Sequence, residues 1–92
     1  MYRHHAGMEK STHTPQYDAF RRRLAGMRKA AGLTQRELAS RLRREPSFIA
    51  RLELGERRLD VLEFYWLCTA CGADPVRAAA DEFGGDPYRS AQ

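Results

Sequence analysis

The sequence predicts an all-α chain, a compact five-helix domain over residues 14–83 with flexible termini on either side. Three observations lead there. Helix-start signals recur at Thr14-Pro15, at Thr34 with Glu37, at Glu45-Pro46, at Asp60 with Glu63, and at Asp74-Pro75. Between them, apolar residues fall at spacings of three and four, the period of a helix with one buried face. Gly32, Gly55 and Gly84-Gly85 stand where these runs stop, as a left-handed cap or a breaker requires. A chain of 92 residues supports one small domain, and its core is small enough to be marginal.

Met1 to His13 has little apolar content and no helical period, so 1–13 reads as a disordered N-terminal arm. His4, His5 and His13 lie in it and read as solvated tail. The first helix is capped by Thr14, with Pro15 at its first position. Tyr17, Phe20, Leu24, Met27 and Ala31 then mark its inward stripe. Gly26 in mid-helix costs about 1 kcal/mol relative to Ala and would permit a close helix approach. Gly32 closes the helix.

Thr34 and Glu37 have capping-box spacing, and Leu38, Ala39 and Leu42 follow on one face. Glu45-Pro46 interrupts, and Pro suits the first turn of a new helix. Ile49 and Leu52 carry that helix's apolar face; Phe48 either packs under the turn or presents its edge outward. After Gly55, Glu56-Arg57-Arg58 reads as an exposed loop. Asp60 caps the fourth helix, and Leu59 can staple onto Phe64. Val61, Phe64, Leu67, Cys68 and Cys71 form its predicted inward stripe. Asp74-Pro75 opens a last helix with Val76, Ala79, Ala80 and Phe83 inward, and 84–92 reads as a flexible tail.

Net charge is +4, but its distribution is more informative. Asp18 to Arg58 holds 12 Lys/Arg against five Asp/Glu, whereas Leu59 to Gln92 holds two against six. Positive charge thus concentrates around the two central helices, as a phosphate-facing surface would require. No apolar run approaches the ~20 residues of a membrane span, and no signal-peptide core is visible, so the expectation is a cytoplasmic protein. No catalytic triad, paired-carboxylate site or glycine-rich phosphate loop is visible, and the chain is read as no enzyme and as needing no cofactor. Cys68-x-x-Cys71 is two ligands short of a structural zinc site, so both thiols read as small buried hydrophobes and no metal is expected.

Two short helices joined by a tight turn, with arginines on their outward faces, read as a helix-turn-helix. Gly32 to Ala39 (GLTQRELA), Ile49, Leu52, Glu53 and Gly55 to Phe64 (GERRLDVLEF) resemble the Xre/Cro-type, lambda-repressor-like helix-turn-helix family. The resemblance covers about Tyr17 to Phe83. It departs at two places: Arg43 stands where the family usually has Gly, and Pro46 where it often has a polar base reader.

The resemblance implies a DNA-binding transcriptional regulator, a homodimeric repressor on a two-fold symmetric double-stranded operator. A helix lying in the major groove meets base edges with its outward side chains. Those are Ser47, Ala50, Arg51 and Leu54, and Arg51 is the foremost candidate because its fork can donate to both acceptors of a guanine. Gln35 is implied as a phosphate clamp at a helix start, with Arg43, Arg44, Arg57 and Arg58 in reach of phosphates on either side. Arg3 and Lys10 would let the arm follow a DNA groove. Arg28 and Glu53 are implied as a largely buried structural ion pair. Leu62, Tyr65, Trp66 and Thr69 form a second, largely apolar stripe on the fourth helix, and Leu62, Tyr65 and Trp66 are the candidate dimer interface. An alternative keeps the fold but gives it to a protein partner, as in an antitoxin-like interaction module with DNA reading weakened or lost.

Overall fold

Thr14 Oγ1 accepts the Tyr17 N–H at 3.1 Å and starts α1 (Pro15–Ala30), in a computed structural model that describes residues 14–83. The proposed arm and tail, with Arg3, His4, His5, Lys10 and His13, lie outside the described residues. Thr34 and Glu37 close a reciprocal capping box at the start of α2 (Gln35–Arg41). Pro46 occupies the first turn of α3 (Pro46–Leu54), whose N-cap residue Glu45 makes no side-chain cap bond. Asp60 and Glu63 form a second capping box at α4 (Val61–Ala70), and α5 (Pro75–Phe83) follows. Among the described residues the secondary structure is these five helices, with no strand.

The core lies where α1, α2, α3 and α4 converge. Phe20, Leu24, Leu33, Leu38, Ala39, Phe48, Ile49, Leu52 and Leu67 form one buried cluster. Leu38, Ile49 and Leu52 are almost wholly buried, each stabilising the fold by roughly 1.5–3 kcal/mol relative to exposure. Tyr17, Met27, Leu42, Leu59 and Phe64 pack around this cluster from the side. α2 makes its most extensive contact with α3, which fixes the mutual angle of the two short helices.

Long-range polar contacts hold the other elements. Arg21 Nη1 donates to the Glu53 carbonyl, and its guanidinium lies against Gly55, where an added Cβ would sit 3.0 Å from Nε. Gly55 also takes φ 81°, so both its backbone and its lack of a side chain are used. Arg41 Nη1 donates to the Ala70 carbonyl at 2.9 Å, tying α2 to the end of α4. The Leu59 N–H donates to Tyr17 Oη at 3.2 Å, drawing the α3–α4 loop onto α1.

Four expectations about the packing need correction. Val61 is 78% exposed; it edges an open groove with Thr14, Tyr17 and Phe64, beyond the point where α1 covers α4. Val76 is 77% exposed and Ala80 is exposed, because α5 docks through half-buried Ala78 and Ala79 on a rotated face. Ala31 is exposed at the C-cap of α1. A Cβ on Gly26 would meet nothing within 4 Å, so no close helix approach explains that glycine.

Candidate nucleic-acid interface

α3 divides cleanly into two faces. Phe48, Ile49 and Leu52 are buried. Ser47, Arg51 and Leu54 are exposed and Ala50 is half-buried. The spacing of Ser47, Ala50, Arg51 and Leu54 puts them in one stripe along the helix. Arg51 has no ion-pair or side-chain hydrogen-bond partner among the described residues. The start of α3 borders the start of α2, and an open groove between them is lined by Thr34, Gln35, Arg36, Pro46, Ser47 and Ala50.

Behind this face, Glu53 gathers three elements. Arg28 Nε donates to its Oε2 at 2.7 Å and Arg28 Nη2 to its Oε1 at 3.1 Å. The remaining fork of Arg28 donates to the Leu33 carbonyl at 2.8 Å. The hydrogen bond to Glu53 raises the Arg28 pKa further, against the opposing effect of burial. Gln35 Nε2 donates to Glu53 Oε1 at 2.8 Å, so the side-chain amide at the start of α2 is already bound to protein.

A second acid organises the other flank. Glu63 is 8% exposed. It receives Arg57 Nη1 and Nη2 at 2.9 and 3.0 Å, and the Asp60 N–H at 3.1 Å. Arg44 Nη1 stands 3.5 Å from its Oε2. The Arg57 bonds hold the Glu63 carboxyl below the ordinary carboxylate range, outweighing burial, with the Asp60 N–H helping. Arg44 and Arg57 also lie over the Phe48 ring, 3.8 and 4.8 Å from its centroid. Phe48 therefore packs inward beneath two guanidinium groups and presents no edge outward. Arg57 is half-buried, unlike the exposed loop residue expected from the sequence, because Glu63 pulls it in. Arg58 is exposed, with its guanidinium 5.9 Å from the Tyr17 ring centroid.

A helix-turn-helix domain model matches residues 19–80 of this chain. A solved structure, described as an XRE-family like protein from Pseudomonas syringae pv. tomato str. DC3000, is similar to it at 43% identity and a TM-score of 0.74. That match covers 82% of this chain and 92% of the other. The chain belongs to the Xre-type helix-turn-helix family. It is a DNA-binding regulator in kind, and such families are typically not enzymes. No curated protein matches it.

Against the Xre-type pattern, the turn between α2 and α3 is distinctive. Arg43 takes φ 58°, the left-handed conformation that glycine adopts freely. For an L residue with a Cβ this costs roughly 1–2 kcal/mol. In return, an exposed guanidinium is displayed at the bend.

The structure also shows residues that sequence reasoning missed. Arg36 is exposed and lines the groove shared with Ser47 and Ala50. Its signal was available: it follows Gln35 directly and lies off the Leu38–Leu42 stripe. The organising role of Glu63 was missed because its capping function accounted for it. An acid one place before Phe64 and four before Leu67, within an apolar face, was the clue.

Cys68 is buried and Cys71 half-buried, both as free thiols. Burial is the chief cause that pushes both thiol pKa values up, which disfavours the thiolate that metals require. Among the described residues no group of three or more His, Cys, Asp or Glu is placed to hold a metal. No helix among them is long and apolar enough to cross a membrane.

Proposed function

We propose that this chain is a sequence-specific, double-stranded-DNA-binding transcriptional regulator that acts as a homodimeric repressor. The observation that carries this reading is the exposed stripe of Ser47, Ala50, Arg51 and Leu54, set opposite a fully buried face of α3. With α3 in the major groove, the Arg51 fork donates to guanine O6 and N7, Ser47 donates or accepts, and Ala50 and Leu54 meet thymine methyl groups. The Gln35 amide is held by Glu53 and the Arg57 guanidinium by Glu63, while Arg43, Arg44 and Arg58 border this face as phosphate contacts. Such contacts fix register without reading sequence.

Leu62, Tyr65 and Trp66 are 58%, 52% and 48% exposed along one face of α4. A second copy packed on this face would bury an aromatic cluster of the kind enriched in interface cores. Two reading helices related by a two-fold axis would then require a two-fold symmetric operator. The protein is expected to work in the cytoplasm, where its operator is.

Selection of bound sequences from a random duplex pool tests the reading. A two-fold symmetric motif supports it. The same exposed apolar face, together with Pro46 at the start of α3, favours one alternative: an antitoxin-like module that binds a protein. A pool that yields no motif, with binding indifferent to salt, would replace the DNA reading with that one.

A further inference from the structure

We infer that Arg36 makes a phosphate contact at the groove between α2 and α3, and that Glu63 withdraws Arg57 from such a role. This inference rests on the DNA reading above. The groove is walled by Ser47 and Ala50 of the proposed reading stripe on one side and by Thr34, Gln35 and Arg36 on the other. Most of its polar groups are already bound to protein. Thr34 Oγ1 accepts the Glu37 N–H, Gln35 Nε2 donates to Glu53, and Arg28 at its base donates to Glu53 and Leu33. Pro46 brings neither an N–H nor a polar side chain. Arg36 is exposed and has no ion-pair or hydrogen-bond partner among the described residues. Its five N–H donors are therefore available, and a guanidinium matches a phosphate with two of them at once.

On the opposite flank the arrangement is reversed. Arg57 Nη1 donates to both Glu63 and the Arg58 carbonyl, and Nη2 to Glu63. A phosphate there would have to compete with a buried carboxylate that already neutralises the guanidinium. Two arginines that look alike in the sequence thus differ in the charge they offer to DNA.

The test is a salt titration of duplex binding by the wild type, Arg36→Ala and Arg57→Ala, on a selected duplex and a scrambled one. Arg36→Ala is expected to lower the slope of log K against log salt by ~1 on both duplexes. Arg57→Ala is expected to leave the slope unchanged while lowering the melting temperature. Should Arg57→Ala not fold, Glu63→Gln replaces it; freeing Arg57 is expected to raise the slope by ~1. A wild type with salt-dependent binding and an Arg36→Ala slope equal to it overturns this inference alone. So does an Arg57→Ala slope that falls as far as that of Arg36→Ala. A wild type that binds no duplex in a salt-dependent way overturns the DNA reading, and this inference with it.

Discussion

The side-chain amide of Gln35 donates to Oε1 of Glu53 across 2.8 Å, joining the start of α2 to the last turn of α3. The same carboxylate receives the Arg28 fork from α1. Three helices are thus held in register by one acid behind the proposed reading face. The angle at which α3 would enter a groove depends on that acid, although Glu53 itself faces inward.

Arg28→Ala is therefore expected to destabilise the fold by about 3 kcal/mol or more, because the Glu53 carboxylate loses the charge that balances it. Denaturant melts of Arg28→Ala, Glu53→Ala and the double variant give the coupling directly. Additive losses would show that the pair contributes no interaction energy.

Glu63 makes stability depend on pH. Its folded pKa is held below the unfolded value, so the folded state binds fewer protons as pH falls through the carboxylate range. Its contribution is therefore present above the ordinary carboxylate range and is lost as pH drops through the lowered folded value. Glu63→Gln is expected to cost about 2 kcal/mol at pH 7, where charged hydrogen bonds are lost, and little near pH 2. Urea melts of both proteins across this range check it; a gap that stays constant with pH would rule out the ionised pair.

Arg51→Ala is expected to weaken binding to the selected operator by ~1–3 kcal/mol and to relax the preference at one base pair per half-site. Binding to a scrambled duplex should hardly change. Equal weakening on both duplexes would make Arg51 a phosphate contact and rotate the reading face away from Ser47.

Trp66→Arg is expected to convert the proposed dimer to a monomer in analytical sedimentation, since a charge would be buried without a partner at the proposed two-fold contact. Melting temperature at low concentration should stay close to that of the wild-type monomer, because Trp66 is exposed in the single chain. A dimer that persists would move the interface off α4.

Local chemistry was the part of this fold most legible in the sequence. The capping boxes at Thr34–Glu37 and Asp60–Glu63 each depend on residues three apart, so spacing alone identifies them. Arg28 and Glu53 are 25 positions apart, and only the family resemblance joined them in advance. Val61 and Val76 were misplaced because a periodic stripe tells which side of a helix is apolar, not where the neighbouring helix ends. The fate of the arginines was the least legible. Nothing local distinguishes Arg57, drawn onto Glu63, from Arg36 or Arg51, which no acid reaches among the described residues.

α5 is attached unlike the other helices. It docks on α4, while an open groove lined by Gly26, Asp74, Arg77 and Ala78 separates it from α1. The pair Arg23–Glu82 spans that groove, with the Arg23 side chain 43% exposed and that of Glu82 11% exposed. The exposed guanidinium leaves the pair open to screening by salt. The backbone amides of α5 should therefore exchange with solvent through a partial opening that leaves Leu38, Ile49 and Leu52 protected. The chain would then have two tiers of protection, with α5 opening before the four-helix unit that carries the proposed reading face.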